Sequence, residues 1–228
     1  MKSDVIVIGA GPGGSMAAKA AAESGLNVLL LEKRQEIGEP VRCAEGVSFR
    51  SELSELIRVQ PDWISREIHG VRMHSPNSDS FCIDVDCKGG GGGGFILERK
   101  CFDRGLAIQA ARSGARVLVK TRATGMVRKD GLWRIAASSG GESLQFEAPM
   151  IIGADGVESK VARWAGIGSG LRQEEIMVCA QYLVLEESID QDCCEFFFGN
   201  RMAPGGYAWI FPKGRCRGRG LANVGIGI

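Results

Sequence analysis

Histidine is almost missing from this chain: only His69 and His74 occur in 228 residues. They fall in a stretch that reads as one strand, where a spacing of five puts them on opposite faces. None of the eight cysteines stands at a CxxC spacing. A structural metal is therefore not expected. The cysteine density is also too low for a secreted disulfide framework, so reduced thiols in the cytoplasm are expected. Long apolar runs are lacking as well. After Met1-Lys2-Ser3-Asp4 the chain is apolar only from Val5 to Ala10. That stretch is too short for a signal peptide, and nothing approaches the ~18 residues of a membrane span. Charge of one sign is missing too: 28 basic against 27 acidic residues leave +1, no global field for nucleic acid. With 44% hydrophobic and 24% charged residues, the composition is globular and excludes long disorder and coiled coil. The length fits one large or two small domains.

Glycine is in excess, 33 residues, about twice the usual ~7% share. Six form the run Gly89–Gly94, so residues 88–94 read as a mobile loop tip or linker. The opening residues are better ordered in pattern. Val5–Ile8 reads as a buried parallel strand, Gly13–Ser24 as a helix of small residues stopped by Gly25, and Val28–Leu31 as a second strand. Together they make one βαβ unit.

Further along, Arg50–Ile57 reads as a short helix, and Ile68–Met73 and Phe81–Asp86 as strands around the turn Ser75–Ser78. Phe102–Ser113 has helical spacing and is closed by Gly114. Val117–Val119, Thr124–Val127 and Leu132–Ala136 read as strands, the last two joined by an Asp130-Gly131 hairpin. Met150–Ile152 is another buried strand, followed by a helix through Val161 and Trp164. From Glu174 the pattern changes to longer strands at 176–185, 194–198, 207–211 and 221–228, a mostly antiparallel arrangement. This divides the chain into a nucleotide-binding part at 1–67 and 99–173 and a substrate part at 68–98 and 174–228.

Gly9-x-Gly11-x-x-Gly14 follows a strand and opens a helix. The first glycine permits the turn, the second admits a pyrophosphate to the backbone, and the third lets helix and strand approach. Glu32 ends the second strand, where a carboxylate accepts hydrogen bonds from an adenosine ribose and repels a 2′-phosphate. FAD or NAD is thus expected rather than NADP. A triphosphate loop is excluded because Ser15, not Lys, follows Gly14. Gly153-Ala154-Asp155-Gly156 repeats the strand-turn-helix logic, with Ser159 and Arg163 spaced to share a helix face. Asp155 is equally readable as a helix cap. Glu39–Gly46 holds Arg42, Cys43 and Ala44 between carboxylates, while Tyr207, Trp209 and Phe211 alternate on one strand face. Taken alone, the aromatic alternation is a core pattern and Cys43 a buried thiol. Lys213, Arg215, Arg217 and Arg219 form a basic hairpin, and Cys82, Cys87, Cys193 and Cys194 suggest packing only.

The pair of glycine turns resembles the GADGxxSxxxR signature of para-hydroxybenzoate-hydroxylase-like flavoproteins, which favours FAD over NAD. With Leu97-Glu98-Arg99, the cysteine loop and the Pro-x-x-Tyr-x-Trp-x-Phe-Pro stretch, the chain is similar to the geranylgeranyl reductase family, and within it to the archaeal lipid branch. The resemblance runs from Val5 to Ile228. It implies an α/β fold, with a Rossmann-like FAD-binding domain and a mostly antiparallel β substrate domain. It implies FAD bound through Gly9, Gly11, Gly14, Glu32, Arg42, Cys43, Ala44, Arg99, Asp155 and Gly156. Cys43 would lie near the isoalloxazine as a proton source, unless an ordered water serves. Tyr207, Trp209 and Phe211 would line an isoprenoid tunnel.

The implied activity is reduction of isoprenoid double bonds on membrane-lipid chains, with NAD(P)H or another reductant as donor. A flavin monooxygenase or a non-catalytic fragment are the alternatives. Family members continue beyond the point matched by Ile228 with a Gly-Asp motif that closes the flavin site. Both parts of the fold are therefore expected to be incomplete, and FAD to be held weakly by these residues alone. The lipid substrate implies reversible membrane-surface contact, with the Lys213–Arg219 hairpin as its candidate.

Overall fold

The structure is a computed structural model that describes residues 1–47, 53, 57–84, 93–168 and 171–228. In chain order its elements are β1 (Val5–Ile8), α1 (Pro12–Glu23), β2 (Val28–Leu31), β3 (Gly46–Val47), β4 (Ile64–Ile68), β5 (Gly70–His74), β6 (Ser80–Asp84) and β7 (Gly94–Leu97). There follow α2 (Arg99–Arg112), β8 (Arg116–Leu118), β9 (Thr121–Lys129), β10 (Leu132–Ser139), β11 (Glu142–Ala148), β12 (Met150–Gly153) and α3 (Val161–Trp164). The last strands are β13 (Cys179–Glu186), β14 (Cys193–Phe198), β15 (Tyr207–Cys216) and β16 (Arg219–Gly227).

These elements group into two compact units, Met1–Val41 with Lys100–Leu171, and Arg42–Arg99 with Arg172–Ile228. Composition places the first boundary at residue 67, whereas the structure draws it after Val41. The reason is pairing: β3 and β4 flank β7 in one small sheet, so residues 46–47 and 64–68 belong with 94–97.

In the first unit the parallel sheet runs β12-β1-β2-β8. Because strand side chains alternate, its two faces separate cleanly. Ile6, Ile8, Leu29 and Leu31 pack with Met126, Ile135 and Phe146, while Val5, Val7, Val28 and Leu30 pack with Ala18, Ala22, Ala110 and Ala115. Each fully buried aliphatic side chain contributes about 1.5–3 kcal/mol. The first face is covered by the antiparallel sheet β11-β10-β9. Asp130 and Gly131 join β9 to β10 with φ of 53° and 79°, as the hairpin signal requires. Strand β11 is not visible in the sequence, since of its seven residues only Phe146 and Ala148 are buried.

α1 begins one residue earlier than the small-residue pattern indicates, with Pro12 in its first turn, where a missing N–H costs nothing. α2 likewise starts at Arg99 rather than Phe102.

The second unit is built on a six-stranded sheet ordered β13-β16-β15-β14-β5-β6, antiparallel except where β14 meets β5. Between it and the β3-β7-β4 sheet lie Ile68, Ile96 and Cys194, with Phe196 and Phe211 against them. Burial pushes the Cys194 thiol up to about 12, the state of an inert core sulfur. The single strand expected over 68–73 is instead two, β4 and β5. His69 lies between them, so only His74 belongs to a strand. Cys82 Sγ lies 3.9 Å from Cys193 Sγ. Most of the helix expected at 50–57, most of the glycine run and Cys87 lie outside the described residues. Among the described residues no helix is long and apolar enough to cross a membrane.

Candidate functional site

Two glycine turns stand side by side in the first unit, at the carboxyl ends of the neighbouring strands β1 and β12. That is the end of a parallel sheet at which ligands bind. Gly9 takes φ of 104°, and a Cβ there would stand 2.2 Å from Ala154 O. At Gly14 a Cβ would stand 1.8 Å from Gly9 O. These two glycines are demanded by the protein itself. Gly11 is different, because a Cβ built on it meets nothing within 4 Å. Its lack of a side chain leaves room beside the start of α1, as a pyrophosphate needs. The residues present thus fit a dinucleotide.

Glu32 closes this turn from below. It is buried, and its Oε2 accepts the Ala10 N–H at 2.9 Å while Oε1 accepts the Arg34 N–H at 2.8 Å. Each oxygen keeps a lone pair for a ribose hydroxyl. Ser15 Oγ donates to Ala10 O at 3.2 Å, which ties the same loop to the first turn of α1.

At the second turn the bonds of Asp155 select the cap among its two sequence readings. Asp155 Oδ1 accepts the Ser159 hydroxyl at 2.7 Å, and Oδ2 accepts the N–H groups of Lys160 and Val161 at 2.7 and 3.1 Å. Burial alone would raise its pKa, but the bonds from Ser159, Lys160 and Val161 hold the carboxyl below the usual aspartate value. Asp155 thus acts as the cap, and those helix donors are already used. α3 has only four residues, so Ser159 precedes it rather than sharing a helical face with Arg163. Gly156 follows with φ of 86°.

The second unit gathers the other predicted residues. Arg42 and Cys43 are exposed, and Ala44 and Arg99 are half-buried. What joins Cys43 to Arg99 is Glu45, a carboxylate of the 39–46 stretch that the sequence pattern did not single out. Glu45 is buried with φ of 71°. Its N–H donates to Cys43 Sγ at 3.2 Å, and its Oε1 accepts the Arg99 N–H at 2.9 Å. Its Oε2 accepts Lys213 Nζ at 2.5 Å and Asn223 Nδ2 at 2.7 Å. Lys213 also reaches Glu98 Oε2 at 3.1 Å.

Lys213 is therefore inside the unit, only 7% of its side chain exposed, and does not belong to the basic surface. Arg215 and Arg217 remain exposed. A signal for this existed: Lys213 continues the 207, 209, 211 alternation, and Asn223 interrupts an apolar strand.

Tyr207, Trp209 and Phe211 do share a face, with successive ring centroids 5.8 and 6.5 Å apart. Phe196 and Phe198 of β14 extend this aromatic surface. Gly225 on β16 makes room for the indole of Trp209, since a Cβ there would lie 2.3 Å from Trp209 Cζ2. Phe211 lies against Gly46 of the cysteine loop, 2.9 Å from where a Cβ would stand.

Comparison with known proteins agrees with both halves. A model of FAD dependent oxidoreductases matches residues 4–183, and one of the geranylgeranyl reductase catalytic domain matches 175–228. A digeranylgeranylglycerophospholipid reductase of Methanothrix thermoacetophila is 56% identical over the whole chain, which covers 57% of that relative. One from Methanosarcina acetivorans is 53% identical, with 99% of this chain and 54% of the relative aligned. The chain thus spans about half the length of the curated relatives it matches.

Among solved structures, a geranylgeranyl bacteriochlorophyll reductase-like protein from Thermoplasma acidophilum superposes with a TM-score of 0.89. It is 41% identical over 99% of this chain and 56% of its own. p-Nitrophenol 4-monooxygenase from Pseudomonas putida gives a TM-score of 0.72 at 14% identity over 99% of this chain and 57% of its own, a likeness of fold alone.

Proposed function

This chain belongs to the FAD-dependent oxidoreductase family, and we propose that its protein is a geranylgeranyl reductase that saturates isoprenoid C=C bonds on the geranylgeranyl chains of archaeal-type membrane lipids. The observation that carries this reading is the joint match: a dinucleotide turn in the first unit and, in the second, an aromatic strand inside the geranylgeranyl reductase match. The digeranylgeranylglycerophospholipid reductases at 53–56% identity support the lipid assignment.

In this reading Gly9, Gly11 and Gly14 receive the pyrophosphate, Glu32 the adenosine ribose, and Asp155 and Gly156 shape the adjoining turn. Arg42, Cys43, Ala44 and Arg99 complete the cofactor contacts. The chemistry FAD supplies when bound is hydride delivery to one alkene carbon, with NAD(P)H or another reductant as the electron source. The chain's own part is to exclude water, align the prenyl chain along Tyr207, Trp209 and Phe211, and return a proton to the other carbon. The Cys43 thiol, or a water held beside it, is the proton donor. Hydride and proton together add two hydrogens per double bond.

Because such a substrate lies in a bilayer, the protein works from the cytoplasm with reversible surface contact. Arg215, Arg217 and Arg219, all exposed, are the basic residues of that hairpin available for it; each can add ~1 kcal/mol at an anionic surface. Sedimentation with anionic and neutral vesicles tests that contact, and equal binding to both removes the arginines from it.

The activity is tested by incubating the protein as encoded with reduced flavin and a geranylgeranyl glycerophospholipid. Mass gains of about two per bond are expected. Unchanged lipid, with oxygen inserted into an aromatic compound instead, overturns the reading.

A further inference from the structure

Three adjacent strands of the second unit each send one polar side chain to three consecutive loop residues. From β13, Gln181 Nε2 donates to Cys43 O at 3.2 Å. From β16, Asn223 Nδ2 donates to Ala44 O at 3.1 Å as well as to Glu45. From β15, Lys213 donates to Glu45. The other end of the Gln181 amide accepts the Trp209 indole N–H at 3.2 Å, so one side chain ties the cysteine loop to the aromatic strand.

Stability does not account for this arrangement. Glu45 and Asn223 are 2% and 3% exposed and the Lys213 side chain 7%, and a buried ion pair gains little over well-packed apolar side chains of the same volume. What a hydrocarbon cluster cannot do is select one loop conformation. The loop needs selecting, because Glu45 sits at φ of 71°, a region that disfavours residues with a Cβ. In that conformation its N–H points back to Cys43 Sγ.

We propose that Gln181, Lys213 and Asn223 are positioning residues that clamp residues 43–45 and so fix the Cys43 thiol relative to Trp209. The functional weight of the clamp rests on the reading that both face the substrate. Its existence is tested without substrate, FAD or turnover, so failure of either idea is seen separately.

The experiment is residue-resolved amide hydrogen exchange on the full chain. The Glu45 and Arg99 N–H groups, bonded to Cys43 Sγ and Glu45 Oε1, report on the clamp, and the amides of β15 and β16 between Ala208 and Ile226 are the reference. Lys213→Met leaves the Glu45 carboxylate buried without its cation. Exchange at Glu45 and Arg99 is expected to rise at least about tenfold more than at the reference amides, whose own change reports the loss of global stability. Adding Glu45→Gln restores the slow Arg99 rate to within about threefold, because the neutral amide needs no cation and its single oxygen still accepts the Arg99 N–H.

Unchanged rates at Glu45 and Arg99 in Lys213→Met overturn the proposal. So does uniform acceleration of all amides, which marks a merely structural residue, or a double variant as fast as the single one. If Lys213→Met does not fold, Gln181→Met decides, since that site carries no charge. Selective acceleration at Glu45 supports the clamp, and an unchanged Glu45 amide rejects it.

Discussion

The two units present their candidate sites by opposite means. In the first, the site is backbone: Gly9, Gly11 and Gly14 act through what they lack, and the decisive contacts are to main-chain atoms such as Gly9 O and Ala154 O. In the second, the site is side chain: Gln181, Lys213 and Asn223 reach residues 138 to 179 positions away in the sequence. A backbone site tolerates no added atom where the chain touches itself. A side-chain site tolerates new atoms but not an unpaired charge. Four substitutions sharpen that contrast, taken in falling order of their effect on stability.

Gly14→Ala forces a Cβ to within 1.8 Å of Gly9 O, and backbone cannot move aside as a side chain can. A loss of more than about 4–5 kcal/mol is expected, read as failure of the first unit to show a cooperative urea transition. A stable Gly14→Ala protein would break the claim that this turn is dictated by self-contact.

Lys213→Met comes next, at about 3 kcal/mol, because removing one partner strands a buried carboxylate. Replacing Glu45 and Lys213 together by apolar residues of similar volume is expected to recover most of that loss. Chemical denaturation of the wild type and the two variants checks both statements. If the double apolar variant stays as unstable as the single, the network is a stabiliser after all.

Asp155→Asn keeps the shape of the cap but replaces an anionic acceptor with a neutral one, and is expected to cost about 1 kcal/mol. This loss carries a pH signature. The folded-state pKa of Asp155 is lowered, so its contribution is fully present above the unfolded value of roughly 3.9. It disappears as pH falls from there through the folded-state value. Wild type and Asp155→Asn should therefore differ at pH 7 and converge in strong acid. A difference that persists unchanged at low pH would show that the cap does not act through its charge.

The smallest effect on folding is expected at Gly11. Alanine there meets nothing within 4 Å, so stability should change by less than about 1 kcal/mol. Gly11→Trp should likewise fold yet fill the space beside α1, so that FAD no longer co-purifies with the protein or quenches on addition. Retention of FAD by Gly11→Trp would move the cofactor elsewhere. Set against Gly14→Ala, this pair separates a glycine required by the chain from one required by the ligand.

The sequence by itself determined whatever depends on near neighbours. The β1-α1-β2 unit, the fingerprint turn, Glu32 at the end of β2, the Asp130-Gly131 hairpin and the shared face of Tyr207, Trp209 and Phe211 all follow from patterns within about thirty residues. There, periodicity and turn chemistry act directly. Only the tertiary structure decided that Asp155 spends its carboxylate on capping α3, that β11 joins β9 and β10, and that residues 46–47 and 64–68 pair with 94–97. It also decided that Lys213, in a run of surface-like arginines, turns inward to Glu45 while Asn223 meets it from another strand. A charged residue reads as exposed until its partner is known. That partner is set by which strands lie side by side, a property of the sheet order that no local stretch of sequence contains.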